Sequence, residues 1–258
     1  MLKKYCILII CFLILFVSIV SVHAEEISDP NGWETRAEFS YAGTAGVIDT
    51  ATALGKFNMK KDNGKTRYFL NGNIQYSDVY GGVDGKHEVL SDKWLLGAKR
   101  EKMITDNLFY YSSVNYDENE FFGYAHSALI ASGCGCDIIN TDKHYLKGII
   151  GVVYSYDYLK ESENNSKEKK YGSDQIGIEY TWNAMENLMF KNNIDYLHSL
   201  ENNDKYFINA ETSVEVRIST SMSLGFGVTI NYQNDLPDSR QDAKCSERIF
   251  STSIIFDL

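Results

Sequence analysis

The chain has 258 residues, a formal net charge of −10, and many aromatic residues (18 Tyr, 13 Phe) but only 2 Pro. An acid excess of this size leaves no basic footprint for phosphate, so nucleic acid is not an expected partner. Beyond the first two dozen residues no uncharged apolar run is long enough for a membrane-spanning helix, so any later crossing must use strands closed into a barrel.

The chain opens Met1-Leu2-Lys3-Lys4, continues with an apolar run from Tyr5 to Val22, and reaches Val22-His23-Ala24 before Glu25-Glu26. Two lysines, an apolar core and small residues three and one places before a cut predict a secretory signal peptide over 1–24. An uncleaved anchor is the alternative reading of the same run. Cleavage would remove Lys3 and Lys4 and no acid, moving the net charge from −10 to −12. It would also remove Cys6 and Cys11, leaving Cys134, Cys136 and Cys245 in an oxidising compartment. Residues 25–32 then form a short periplasmic segment, and 33–258 a single barrel domain.

From there the chain alternates. Trp33, Thr35, Ala37, Phe39 and Tyr41 oppose Glu34, Arg36, Glu38 and Ser40. Ile176, Ile178, Tyr180 and Trp182 oppose Gln175, Gly177, Glu179 and Thr181. The clearest run has Ile208, Ala210, Thr212, Val214, Val216 and Ile218 on one face and Asn209, Glu211, Ser213, Glu215 and Arg217 on the other. A period of 2 means a strand with one apolar and one hydrophilic face. Twelve such runs are predicted, at 33–41, 50–60, 66–77, 89–101, 107–118, 123–138, 143–159, 172–182, 187–199, 204–219, 221–234 and 246–258. A soluble all-β protein would alternate too. Its strands average about 5–6 residues, whereas spanning strands need about 9–11, and these runs are of the longer kind.

The connections are unequal. Those at 61–65, 103–106, 140–142, 183–186 and Thr220 are short and would fall at the periplasmic end. Those at 42–49, 78–88, 160–171 and 235–245 are longer, although 118–122 and 200–203 on the same side are short. The fold expected is an all-β, transmembrane up-and-down antiparallel β-barrel of about twelve strands, closed, with short periplasmic turns and longer outer loops. The address expected is the bacterial outer membrane. Its lipids would be partners, with periplasmic chaperones and the barrel-assembly machinery engaged during biogenesis.

The hydrophilic face would line the lumen with Arg36, Glu38, Arg67, Lys99, Lys147, Glu179, Lys191, Asp195, Glu211, Glu215 and Arg217. These charges fit two readings: a wet pore wall that tunes passage of ions or small molecules, or a salt-bridged plug. Twelve strands lie between the filled eight-stranded barrel and the open sixteen-stranded one.

No catalytic group, cofactor or metal site is expected. A lipid-modifying barrel enzyme would need a serine beside a histidine on one face. His126-Ser127 and His198-Ser199 are adjacent and so point to opposite faces. Cys134 and Cys136 share a face at a spacing that disfavours a mutual disulfide, and read as small apolar residues toward lipid beside Ile130 and Ile138. The loop 161–170 reads as solvated.

Gly32-Trp33-Glu34 through Gly43-Thr44-Ala45-Gly46, followed by Asp49-Thr50-Ala51-Thr52-Ala53-Leu54-Gly55, form a tryptophan-led strand and a turn into a Thr-rich strand. Mid-chain, Gly133-Cys134-Gly135-Cys136-Asp137 leads through Asn140-Thr141-Asp142-Lys143-His144 into another strand, and Tyr206-Phe207-Ile208-Asn209-Ala210-Glu211-Thr212-Ser213 opens the C-terminal third. In these segments the chain resembles the family called domain of unknown function 481, the YdiY-like salt-induced outer membrane proteins. The resemblance implies a non-enzymatic outer-membrane barrel, as a narrow channel or structural envelope protein, with a link to salt or osmotic stress. Ala45-Gly46 departs from the family's usual Gly-Asn, the cysteines are unusual, and Leu258 stands where an aromatic residue is commoner.

Overall fold

Long alternating strands joined by tight turns leave each strand hydrogen-bonded to its sequence neighbours, and the sheet edge disappears only when the first strand meets the last. In the computed structural model this closure is made. The structure describes residues 32–44, 48–81, 86–119, 124–163, 166–201, 205–234 and 245–258. The expected signal peptide and residues 25–31 lie outside them.

The twelve strands are β1 (Glu34–Thr44), β2 (Ile48–Asp62), β3 (Thr66–Gly81), β4 (Lys86–Met103), β5 (Leu108–Asn119), β6 (Tyr124–Asn140), β7 (His144–Glu163), β8 (Ser166–Met185), β9 (Leu188–Ser199), β10 (Tyr206–Arg217), β11 (Met222–Gln233) and β12 (Ser246–Asp257). Each pairs antiparallel with its neighbours in sequence, and β1 pairs with β12 to close the ring. The seam is short. β1 and β12 are in register only from Arg36–Asp257 to Ser40–Ser253, with Thr35 and Leu258 exchanging two further backbone bonds (2.8 and 3.3 Å). On its other side β1 pairs with β2 over its full length, from Glu34–Lys60 to Thr44–Thr50.

At one end the strands meet in tight turns stabilised by side chains. Asn63 Oδ1 accepts from the amides of Lys65 and Thr66 (3.1 and 2.7 Å), and Gly64 takes a left-handed φ of 77°. Thr105 and Thr141 accept from the amides of Leu108 and His144, each at 3.0 Å.

At the opposite end the strands run further than alternation indicates. The stretch 160–171, read from sequence as a loop, is mostly strand, since β7 continues to Glu163 and β8 restarts at Ser166. The expected loop 78–88 shrinks likewise between Gly81 and Lys86. In these extensions polar residues follow one another in the sequence, so no periodic signal marks a strand.

The outward face is the apolar one. Ile74, Leu96, Val114, Ile130, Ile150, Ile176 and Phe226 are exposed there, Ile74 and Ile130 at 61% each. Tyr68, Tyr110 and Trp182 are exposed toward the turn end, and Tyr41, Tyr116, Tyr154 and Tyr158 toward the other. That arrangement is an apolar belt between aromatic girdles, the surface of a barrel solvated by lipid.

Candidate functional site in the barrel interior

Because side chains alternate, the polar residues of every strand converge on the interior, where charges must find partners. Glu101, on β4, is fully buried at 0% exposure and gathers three cations. Its carboxylate lies 2.9 Å from Arg67 Nε, 2.9 Å from Lys99 Nζ and 3.1 Å from Lys147 Nζ. Arg67 also donates to Asp137 (2.8 Å), which accepts from the Tyr145 hydroxyl at 2.9 Å. Lys147 and Lys99 both reach Glu179, at 2.7 and 3.7 Å. Aromatic faces complete the packing: the Arg67 guanidinium lies 4.8 Å from the centre of Phe109, and Lys147 Nζ 5.4 Å from that of Phe69.

Further pairs join strands both beside one another and across the ring. Arg36 on β1 bonds Glu215 on β10 and Asp257 on β12, the latter at 3.3 Å, and Lys191 reaches Glu215 at 3.0 Å. Lys56 on β2 reaches Glu211 on β10, and Lys93 on β4 reaches Glu247 on β12, each at 2.6 Å. Arg36–Glu215, Lys56–Glu211 and Lys93–Glu247 cross the interior, whereas Arg36–Asp257 and Lys191–Glu215 run along the wall between neighbouring strands. Of the eleven charges singled out from sequence, Arg67, Lys99, Lys147 and Glu179 meet in the Glu101 cluster. Arg36, Lys191 and Glu215 form a second group, and Glu211 belongs to the Lys56 bridge. Asp195 accepts from Gln175 (3.3 Å). Glu38 and Arg217 make no ion pair among the described residues.

Sequence reasoning missed Lys56, Lys93, Glu101, Asp137 and Glu247, and it placed Asp257 on the hydrophilic face of the last strand without counting it among the lumen charges. Glu101 sits between Arg100 and Lys102, so charge marks both faces of its strand and hides the inner one.

Part of the interior is filled. Phe109, Tyr111, Ala131, Ile149 and Val153 form a buried cluster. Tyr111 on β5 lies across Gly133 of β6 and Gly151 of β7, which are register partners, and its hydroxyl donates to Gln175 on β8 at 2.8 Å. A Cβ on either glycine would collide with that ring. Phe109 lies over Gly135 in the same way. The facing wall carries smaller residues, Gly225 and Gly227 on β11 beside Ser251 and Ser253 on β12, with the buried Ile255 packed against Gly225. The free space is therefore off-centre.

A cavity of 1070 Å³ opens at the turn end. Its cationic lining residues are Arg36, Lys60, Lys99, Lys147 and Arg217, and its anionic ones are Glu34, Glu179, Glu186, Glu215 and Asp257, so five charges of each sign cancel.

Ser127 donates to Asp157 (2.6 Å), which also accepts from Tyr171 (2.9 Å). His126 points to the outer face and stacks on Tyr116 with ring centres 6.0 Å apart. Ser127 and His126 thus face opposite sides of the wall. Cys134 and Cys136, opposite Tyr110 and Leu108 on the outer face, are free thiols, as is Cys245.

Fold and interior together define a twelve-stranded β-barrel of the outer-membrane type. The chain belongs to the family described as protein of unknown function, DUF481, whose model matches residues 37–248. No curated protein matches it in sequence. Among solved structures it is similar in fold to an outer membrane channel from Pseudomonas putida F1, with 6% identity, 90% of this chain and 99% of that one covered, and a TM-score of 0.50. The translocator domain of autotransporter NalP from Neisseria meningitidis gives 10% identity, coverage of 93% and 91%, and a TM-score of 0.49. KdgM porin gives 8%, coverage of 88% and 99%, and 0.43.

Proposed function

We propose that this protein is a non-enzymatic barrel of the bacterial outer membrane, exported by the signal peptide 1–24, that acts as a narrow and normally occluded channel for small solutes. The single observation that supports this best is the charged cavity of 1070 Å³ at the turn end. Ion pairs that cross the lumen, such as Lys56–Glu211, narrow the way beyond it. In this reading Arg36, Glu38, Arg67, Lys99, Lys147, Glu179, Lys191, Asp195, Glu211, Glu215 and Arg217 are the lumen charges that set passage.

The test is conductance of the purified mature protein in planar bilayers. The wild type should give small, infrequent openings. Lys56→Met or Tyr111→Ala, by removing a bridge or a filling ring, should enlarge them several-fold. Absence of openings in all three proteins would leave the structural reading, favoured by the filled Phe109–Tyr111 sector, in possession. The stress role rests on resemblance to YdiY-like proteins and expects more of the protein in outer-membrane fractions at raised salt; unchanged abundance would remove it.

A further inference from the structure

We propose that the lumen is built for small, net-neutral solutes rich in hydrogen-bonding groups, either polyhydroxylated or zwitterionic, and does not sort ions by sign. This rests on the channel reading above. The whole chain carries −10, yet the side chains around the cavity cancel. They also cancel locally. Arg36 and Lys191 are matched by Glu215 and Asp257, Lys60 by Glu34 at 3.8 Å, and Arg67, Lys99 and Lys147 by Glu101, Asp137 and Glu179. The two left over, Arg217 and Glu186, make no ion pair among the described residues and are of opposite sign. Deeper in, Lys56–Glu211 is again a neutral pair. Past it Lys93–Glu247 is a further neutral pair among amides and hydroxyls, with Asn209 donating to Asn231 and the Thr52 and Ser77 hydroxyls 3.0 Å apart, and the carboxylates of Asp157 and Asp195 accept from neutral donors, Ser127, Tyr171 and Gln175.

Pores that select by charge carry rings of one sign, which attract the counter-ion and offset its loss of hydration. Here opposite charges stand side by side, and their fields cancel well within the Debye length of about 8–10 Å. A lone ion would give up hydration for no net attraction. A net-neutral molecule carrying both donors and acceptors gives up less, and finds carboxylate, ammonium, guanidinium and amide groups of both polarities with which to replace its water.

Two measurements on the purified mature protein decide this. Across a potassium chloride gradient in planar bilayers, the potassium-to-chloride permeability ratio should stay within about twofold of one. Lys56→Met should then make the pore cation-selective and Glu211→Gln anion-selective, opposite shifts from one pair. In proteoliposome swelling, a small neutral sugar and glycine should enter at comparable rates, both faster than a monoanion or monocation of the same size. A wild-type pore that strongly prefers one sign, or swelling led by one charged solute, overturns the inference while leaving the channel intact. No openings and no swelling, in wild type and opened variants alike, defeats the channel reading and this inference with it.

Discussion

Removing the Glu101 carboxylate would leave Arg67, Lys99 and Lys147 facing one another with their common counter-charge gone. Buried ion clusters of this kind contribute little beyond an apolar equivalent, but breaking one by removing a single partner is costly, about 3–5 kcal/mol. Glu101→Ala should therefore lower the urea midpoint of the folded barrel sharply. An exposed carboxylate such as Glu168, paired with Lys170 at 3.1 Å on the surface, should shift it hardly at all when replaced. Equal midpoints for the two variants would show that Glu101 has no such central part. Lys56 belongs to this scale as well. It was invisible beforehand because β2 alternates weakly: Leu54-Gly55-Lys56-Phe57-Asn58 offers one charge among small and apolar neighbours.

Among the elements, β5, β6, β7 and β8 are coupled by Tyr111, which spans two strands only because Gly133 and Gly151 lack side chains. Gly151→Leu should expel the ring, break its bond to Gln175 and destabilise the barrel by about 1–3 kcal/mol through overpacking. The change would be read as a lower temperature for the gel-mobility shift of the folded form. The double variant Gly151→Leu/Tyr111→Ala should recover only the part of the loss that the ring causes, since the Ser132 carbonyl oxygen, 2.6 Å from a Cβ at 151, still stands against the leucine. The long strands themselves were legible, because an apolar belt against lipid and a polar lumen impose a period of 2 on every crossing. The filling of β5 was not. Leu108-Phe109-Tyr110-Tyr111 is apolar on both faces, so periodicity could not say which rings turn inward. The ends of β7 and β8 were hidden for the opposite reason, being polar on both faces. The pairing of the lumen charges lay beyond sequence altogether, since Lys56 and Glu211 meet across eight intervening turns of the chain's up-and-down path only once the ring is closed.

For the whole molecule, the closed ring explains how an acidic chain can present a charge-balanced cavity: closure brings distant strands face to face, so that carboxylates meet cations from across the ring. The closure is uneven, however. Among the described residues the ladder between β1 and β12 holds from Arg36 to Ser40, while Tyr41–Thr44 of β1 and Ser246–Thr252 of β12 have register partners there only on their far sides. Amide protons on that side of the seam have no cross-strand acceptor in register to slow their replacement by deuterium. Exchange should be fastest there among the strand residues within the apolar belt and slowest in β6 and β7, whose ladder runs from Tyr124–Leu159 to Asn140–Tyr145. Uniform exchange around the ring would contradict this. If the gradient is found, the barrel has a preferred line along which it parts: heat, detergent or force would open the wall between its first and last strands as a zipper opens from its unfastened end, and the same line would be the last to close when the chain enters the membrane.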